Sequence, residues 1–152
     1  MTDPATPVRP TSEAVIFELP VSVVQQDIDG LGHANNVVYL RWAQEAAIAH
    51  WRRTSTEQQQ TDYAWVAIRH EIDYLRPAFL GDQLLARTYV GSVTGVRFER
   101  FVEIVRSHDS LVLAKCRSVW VAVDPATTRP KRIDPAVNRL FFAETWLERQ
   151  RD

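Results

Sequence analysis

The stretch DIDGLGHANNVVYLRW, Asp27 to Trp42, decides the fold. Its first ten residues hold two aspartates, two glycines, a histidine and two asparagines. An apolar run broken only by Arg41 follows at once. A polar loop running straight into an apolar segment predicts a loop-to-helix junction, with Asn35 or Asn36 as the cap. A short amide there accepts from the free N–H groups of the first turn. The helix is expected over roughly Asn36 to Arg53. Val37, Val38, Leu40, Trp42, Ala43, Ala46, Ala47, Ala49 and Trp51 cover most of its circumference. A helix apolar on most sides is surrounded by protein.

Working outward, the flanking segments read as strands. VIFELPVSVV, Val15 to Val24, is β-branched and aromatic, and Pro20 calls for an edge or a bulge. After a polar linker, Thr54 to Asp62, further strands are expected at Ala64–Arg76, Gln83–Thr94, Arg97–Ser107 and Leu111–Asp124. Short turns such as SHDS join them, as antiparallel neighbours require. VRFERFVEIVR alternates slightly out of phase, which points to a bulge. A last helix is expected from Pro135 to about Arg149. One strand, a buried helix, four strands and a terminal helix make an α+β protein, with a curved antiparallel sheet wrapped around the helix. Residues 1–12, rich in proline, read as a disordered lead, and 13–152 as a single domain.

Composition narrows the function. The net charge of -1 gives no field toward nucleic acid or an anionic membrane. One cysteine, Cys116, excludes an intrachain disulfide and fits a cytoplasmic address. No apolar run reaches the length of a bilayer span, so membrane insertion is not expected.

The loop itself carries the chemistry. A helix N-terminus offers unpaired N–H groups and a positive dipole end, a site for a developing oxyanion. Asp29, just ahead of it, can serve as nucleophile or as general base on water. Gly30 and Gly32 permit tight turning and leave room for a ligand. His33 can orient, donate or shuttle a proton. The same residues also admit a plainer account: Asp27 or Asp29 closing an Asx-turn, His33 structural, Asn35 and Asn36 only caps. A calcium loop is disfavoured, because its twelfth position from Asp27 is Val38 rather than a liganding glutamate, and no metal is expected. Glu45 is placed to pair with Arg41 one helical turn away.

Three segments in order resemble the hotdog-fold thioesterases of the 4-hydroxybenzoyl-CoA thioesterase type. DIDGLGHANNVVYLRW resembles their D-x-D-x-x-G-H-x-N-N-x-x-Y signature. IDYLRPAFLGDQL, Ile72 to Leu84, resembles their Y-x-R-P-x-x-x-G-D turn, and Arg97 to Pro130 resembles the last strand pair. The resemblance implies the hotdog fold, a long helix wrapped by a five-stranded antiparallel sheet. It implies hydrolysis of an acyl-CoA or acyl-carrier-protein thioester, with no cofactor because coenzyme A is part of the substrate. It implies a homodimer or homotetramer. Asp29 falls on the family's catalytic aspartate, and Asp27 on a structural one. His33 falls on the signature histidine. The N–H groups around Asn35 and Asn36 fall on the oxyanion donors. Tyr39 and Gly32 are implied to line the substrate pocket, and Arg97 and Arg100 are candidates for the phosphates of coenzyme A. HANN in place of an aliphatic-aromatic sequence is similar to the acyl-CoA and acyl-carrier-protein members rather than the aromatic-substrate ones. Gln44 stands where relatives often carry an acid. Two other activities fit the same fold: enoyl-CoA hydration, and acyl-CoA binding without catalysis.

Overall fold

The structure is a computed structural model, and it describes residues 14–142. The expected lead at 1–12 lies outside them. Five strands form one antiparallel sheet: β1 (Phe17–Ser22), β2 (Ala64–Tyr74), β3 (Gln83–Thr94), β4 (Arg97–Arg106) and β5 (Leu111–Val123). Their order is β1-β3-β4-β5-β2, so β1 and β2 are the edges. Pro20 sits in β1, opposite Leu85, and β1 pairs only with β3. A proline lacks the N–H that a central strand needs, so its place at an edge follows.

Helix α1 (Asn36–Thr54) lies across the sheet and buries Val38, Tyr39, Trp42, Ala43, Ala46, Ala47, His50 and Trp51. Its wrapping is less complete than the sequence implies. Val37 is 73% exposed and Ile48 45%, on a stripe shared with Arg41 and Glu45. The linker expected at Thr54 to Asp62 holds a further helix, α2 (Glu57–Asp62). Thr56 Oγ1 accepts from Gln59 N at 3.1 Å, while Gln59 Oε1 accepts from Thr56 N at 2.9 Å. This reciprocal box holds one turn of helix with no buried residue. The last helix begins at Pro135 as expected but ends at Arg139 (α3, Pro135–Arg139), short of the expected Arg149: Leu140 caps it and Phe142 bridges Ala14, and the stretch from 143 onward lies outside the described residues.

The register of the sheet slips between Val90 and Val93 against β4, between Ile104 and Val105 against β5, and between Ala67 and Arg69 of β2 against β5. Gly91 sits at the first slip. A Cβ there would stand 2.6 Å from the ring of Phe101, so the aromatic covers bare backbone.

Two cores result. One, under the first half of α1, joins Tyr39, Trp42 and Ala46 to Leu84, Ile104 and Leu113. The other is aromatic and lies under the far end of α1, where Trp51, Tyr63, Phe98 and Phe141 meet. Within it lies a polar cluster. Arg100 Nη1 donates to His50 Nδ1 and to Thr88 Oγ1, both at 3.0 Å. Burial, and then the charge of Arg100, push His50 down to a pKa of about 3. The native state therefore holds His50 neutral, while the unfolded chain protonates it near the ordinary 6.5. The unfolded state binds the extra proton, so stability falls as pH drops from about 6.5 toward about 3. The slope contributed approaches ~1.4 kcal/mol per pH unit. In urea titrations between pH 7 and 4, His50→Gln is expected to lose stability less steeply than the wild type.

Candidate active site

The loop before α1 is a tight hairpin. Ile28 bridges Ala34, Asp29 N donates to His33 O at 3.0 Å, and Gly32 N donates to Asp29 O at 3.1 Å. Gly32 has φ +85°, which explains a glycine there. Asp27 anchors the base of the loop. It is buried, and its carboxylate accepts from Val24 N at 3.0 Å and Arg41 Nη2 at 2.8 Å. Its carbonyl takes Asn35 N at 2.8 Å. A buried carboxylate satisfied by a backbone amide and a guanidinium is a structural element. Arg41 also meets Glu45 at 3.5 Å, the pair expected from their spacing.

Asp29 stands free of that scaffold and half-exposed. Oδ1 accepts from Leu31 N at 2.8 Å, the Asx-turn foreseen as the plainer account, and lies 3.9 Å from His33 Nδ1. Oδ2 makes no hydrogen bond among the described residues. A carboxylate fixed through one oxygen and open at the other is oriented without being consumed.

Asn35 and Asn36 part company in the structure. Asn35 is the cap: Oδ1 accepts from Val37 N at 3.0 Å, and its own N–H is spent on Asp27. The N–H of Asn36 is the open donor of this first turn among the described residues. The joint expectation for the pair is corrected accordingly, with Asn35 positioning and Asn36 exposing its amide.

Beside this amide is a cleft of about 230 Å³, lined by His33, Asn36, Tyr39, Tyr74, Arg76 and Pro77. Tyr39 and Tyr74 meet edge to face at 5.4 Å, and Tyr74 Oη donates to Asn36 O at 3.0 Å. Tyr39 Oη accepts from Ala78 N at 2.9 Å, tying the cleft wall to α1. Burial raises the pKa of Tyr39 above its ordinary value, and the charge of Asp29 adds to that rise. Tyr39 is thus a neutral wall within electrostatic reach of Asp29. Removing its hydroxyl orphans a buried amide. Tyr39→Phe is expected to cost about 1–3 kcal/mol in urea denaturation and to speed hydrogen exchange at Ala78 N.

Arg97 and Arg100 do not reach this cleft. Arg97 is exposed and pairs with Val121 of β5, whereas Tyr74 pairs with Ala114. Seven residues (121 − 114) of strand separate them, about 23 Å at ~3.3 Å per residue. Arg100 is 2% exposed and inside the aromatic core, so a surface grip on phosphate by this residue is corrected. The cleft holds Arg76 and Tyr74, two residues that their types alone do not mark as site residues. The signal was the Y-x-R-P segment itself, which the fold brings to the helix N-terminus. Among the described residues, no group of three His, Cys, Asp or Glu stands together to hold a metal ion, and no helix is long and apolar enough to cross a membrane.

Comparison with known proteins shows the family of the chain. Residues 23–141 match the family model of the thioesterase-like superfamily, a span that holds the loop, the cleft and all of β2 to β5. The chain belongs to that superfamily. An acyl-CoA thioester hydrolase of Escherichia coli, YbgC, is 26% identical over 125 residues, covering 80% of this chain and 92% of the relative. A Thermus thermophilus thioesterase solved with coenzyme A and zinc superposes with a TM-score of 0.70 at 27% identity, covering 81% of this chain and 95% of that one. A 1,4-dihydroxy-2-naphthoyl-CoA thioesterase from Synechocystis shares the fold, with a TM-score of 0.73 at 21% identity over 83% of this chain and 95% of that one. The hotdog architecture expected from the three segments is the architecture found.

Proposed function

We propose that this protein hydrolyses an acyl thioester, of coenzyme A or of a carrier protein, to a free acid and a thiol. One observation carries the reading: an open helix N-terminal amide, Asn36 N, lies at the cleft, and a half-free carboxylate, Asp29, stands 3.9 Å from His33, a residue of the cleft wall. The thioester carbonyl lies against Asn36 N, where the helix dipole favours the developing negative charge. Asp29 Oδ2 attacks the carbonyl carbon or takes a proton from an attacking water. Water attack breaks the C–S bond and gives the carboxylic acid and the thiol directly; attack by Asp29 releases the thiol and leaves an acyl-aspartyl anhydride, which a water molecule then hydrolyses to the carboxylic acid and free Asp29. A thiolate is a good leaving group, so the step needs no cofactor.

Arg76 stands at the cleft as a partner for anionic groups of the thiol carrier. Coenzyme A as carrier is supported by the activity named for the Escherichia coli relative. A homo-oligomer is supported by the open edge of β2, which exposes Val66 and Ile68.

The test is thiol release from a panel of aliphatic and aromatic acyl-CoAs. Saturable release from at least one is the expected result. An alkenoyl-CoA that takes up water without freeing thiol points instead to a hydratase.

A further inference from the structure

A second cavity lies at the opposite end of α1. Ala47, Ile48, Trp51, Trp65, Phe98, Arg100, Trp120 and Phe141 enclose about 50 Å³. Asn36 and Trp51 are fifteen residues apart (51 − 36), which at ~1.5 Å per residue puts this cavity roughly 22 Å from the cleft. Its walls are aromatic, yet it contains a cation. The guanidinium carbon of Arg100 lies 5.5 Å from the ring centroids of both Phe98 and Phe141, which stack on each other at 5.9 Å.

The bonding of Arg100 is one-sided. Nη1 is spent on His50 and Thr88. Nε is buried with no partner, and Nη2 has none among the described residues. The Nε–Nη2 edge is the one that grips a carboxylate side-on through two parallel hydrogen bonds. No carboxylate of the described residues supplies them. Two other residues of the cavity wall, Trp65 and Trp120, have buried indole N–H groups with no acceptor among the described residues. Burial lowers the pKa of Arg100 to about 9, which still leaves it charged at neutral pH. A buried cation without a counter-charge is costly, and an anion removes that cost.

We infer that this cavity is a binding site for a small organic carboxylate, its head on the Nε–Nη2 edge of Arg100 and its apolar body against Trp51, Trp65 and Trp120. The aromatic walls exclude inorganic anions, which have no apolar surface to bury there. The half-exposed Ile48 marks the mouth, so the carboxylate enters there and a longer tail leaves toward solvent. The volume exceeds the ~10–15 Å³ that one water needs and suits a carboxylate head. This site is separate from the cleft, and its occupation requires no turnover.

The experiment titrates the whole protein with butyrate and benzoate, against butyramide and benzamide, reading tryptophan fluorescence and thermal midpoint. The acids are expected to saturate the signal and raise the midpoint, with the matched amides at least about tenfold weaker. Arg100→Met is expected to weaken acid binding about tenfold or more. Ile48→Trp, a change at an exposed position that closes the mouth, gives the same loss if Arg100→Met does not fold. Equal binding of acids and amides, acid binding that survives the substitutions, or no saturable response overturns the inference.

Discussion

Asp29→Asn is expected to lower kcat for thioester hydrolysis by about 10²–10⁴-fold, the range that a positioned acid or base supplies. The amide keeps the shape and can still accept from Leu31 N through its carbonyl oxygen, as Oδ1 of the aspartate does at 2.8 Å. The loop therefore holds its turn, and only the negative charge and the free basic oxygen are lost. Affinity for a non-hydrolysable acyl-CoA analogue and the thermal midpoint are expected to stay near wild type. That split separates a catalytic carboxylate from an Asx-turn. If Asp29 does no more than close the turn, Asn preserves the rate as well as the fold. His33 lies 3.9 Å from Asp29 and lines the cleft, so His33→Ala is expected to slow turnover by a smaller factor.

The largest expected loss of stability is at the other end of the same segment. Trp42 is 1% exposed and touches Tyr39 edge to face at 5.1 Å. Trp42→Ala removes the largest fully buried side chain among the described residues and leaves a cavity between helix and sheet. The expected cost is about 3–5 kcal/mol, a sizeable share of the ~5–15 kcal/mol that keeps a domain folded. The denaturation midpoint in urea falls with little change in slope, because the surface exposed on unfolding is nearly the same. Tyr39 loses its packing partner, so substrate affinity is expected to fall as well. A loss below about 1 kcal/mol would mean that the helix does not carry the core.

Much of this was legible in the residues. The polar loop against an apolar helix told where α1 begins, because caps and burial leave strong local signatures. Gln83–Thr94 was readable as a strand from its turns, and Pro20 as an edge residue from its missing donor. What was not legible has particular causes. Helix α2 buries nothing, so no apolar period announced it, although T-x-x-Q at Thr56–Gln59 is a capping signature. Arg100 was read by residue type, and arginine is ordinarily exposed. The period of two along β4 places it on the face of Phe98, Val102 and Ile104, and phase prevailed over type. The division of labour between Asn35 and Asn36 depends on where Asp27 O points, which is tertiary. Arg76 became a cleft residue only when β2 delivered the Y-x-R-P turn to the mouth of α1.

Asp29 and the N-terminal amide of α1 are proposed to cleave a thioester together. Free-thiol release from one reactive acyl-CoA, followed side by side for wild type and Asp29→Asn at equal folded concentration, tests it most directly. Robust release by the wild type that falls to near background in the variant, with analogue affinity retained, is the predicted result. Equal rates in the two proteins would contradict it.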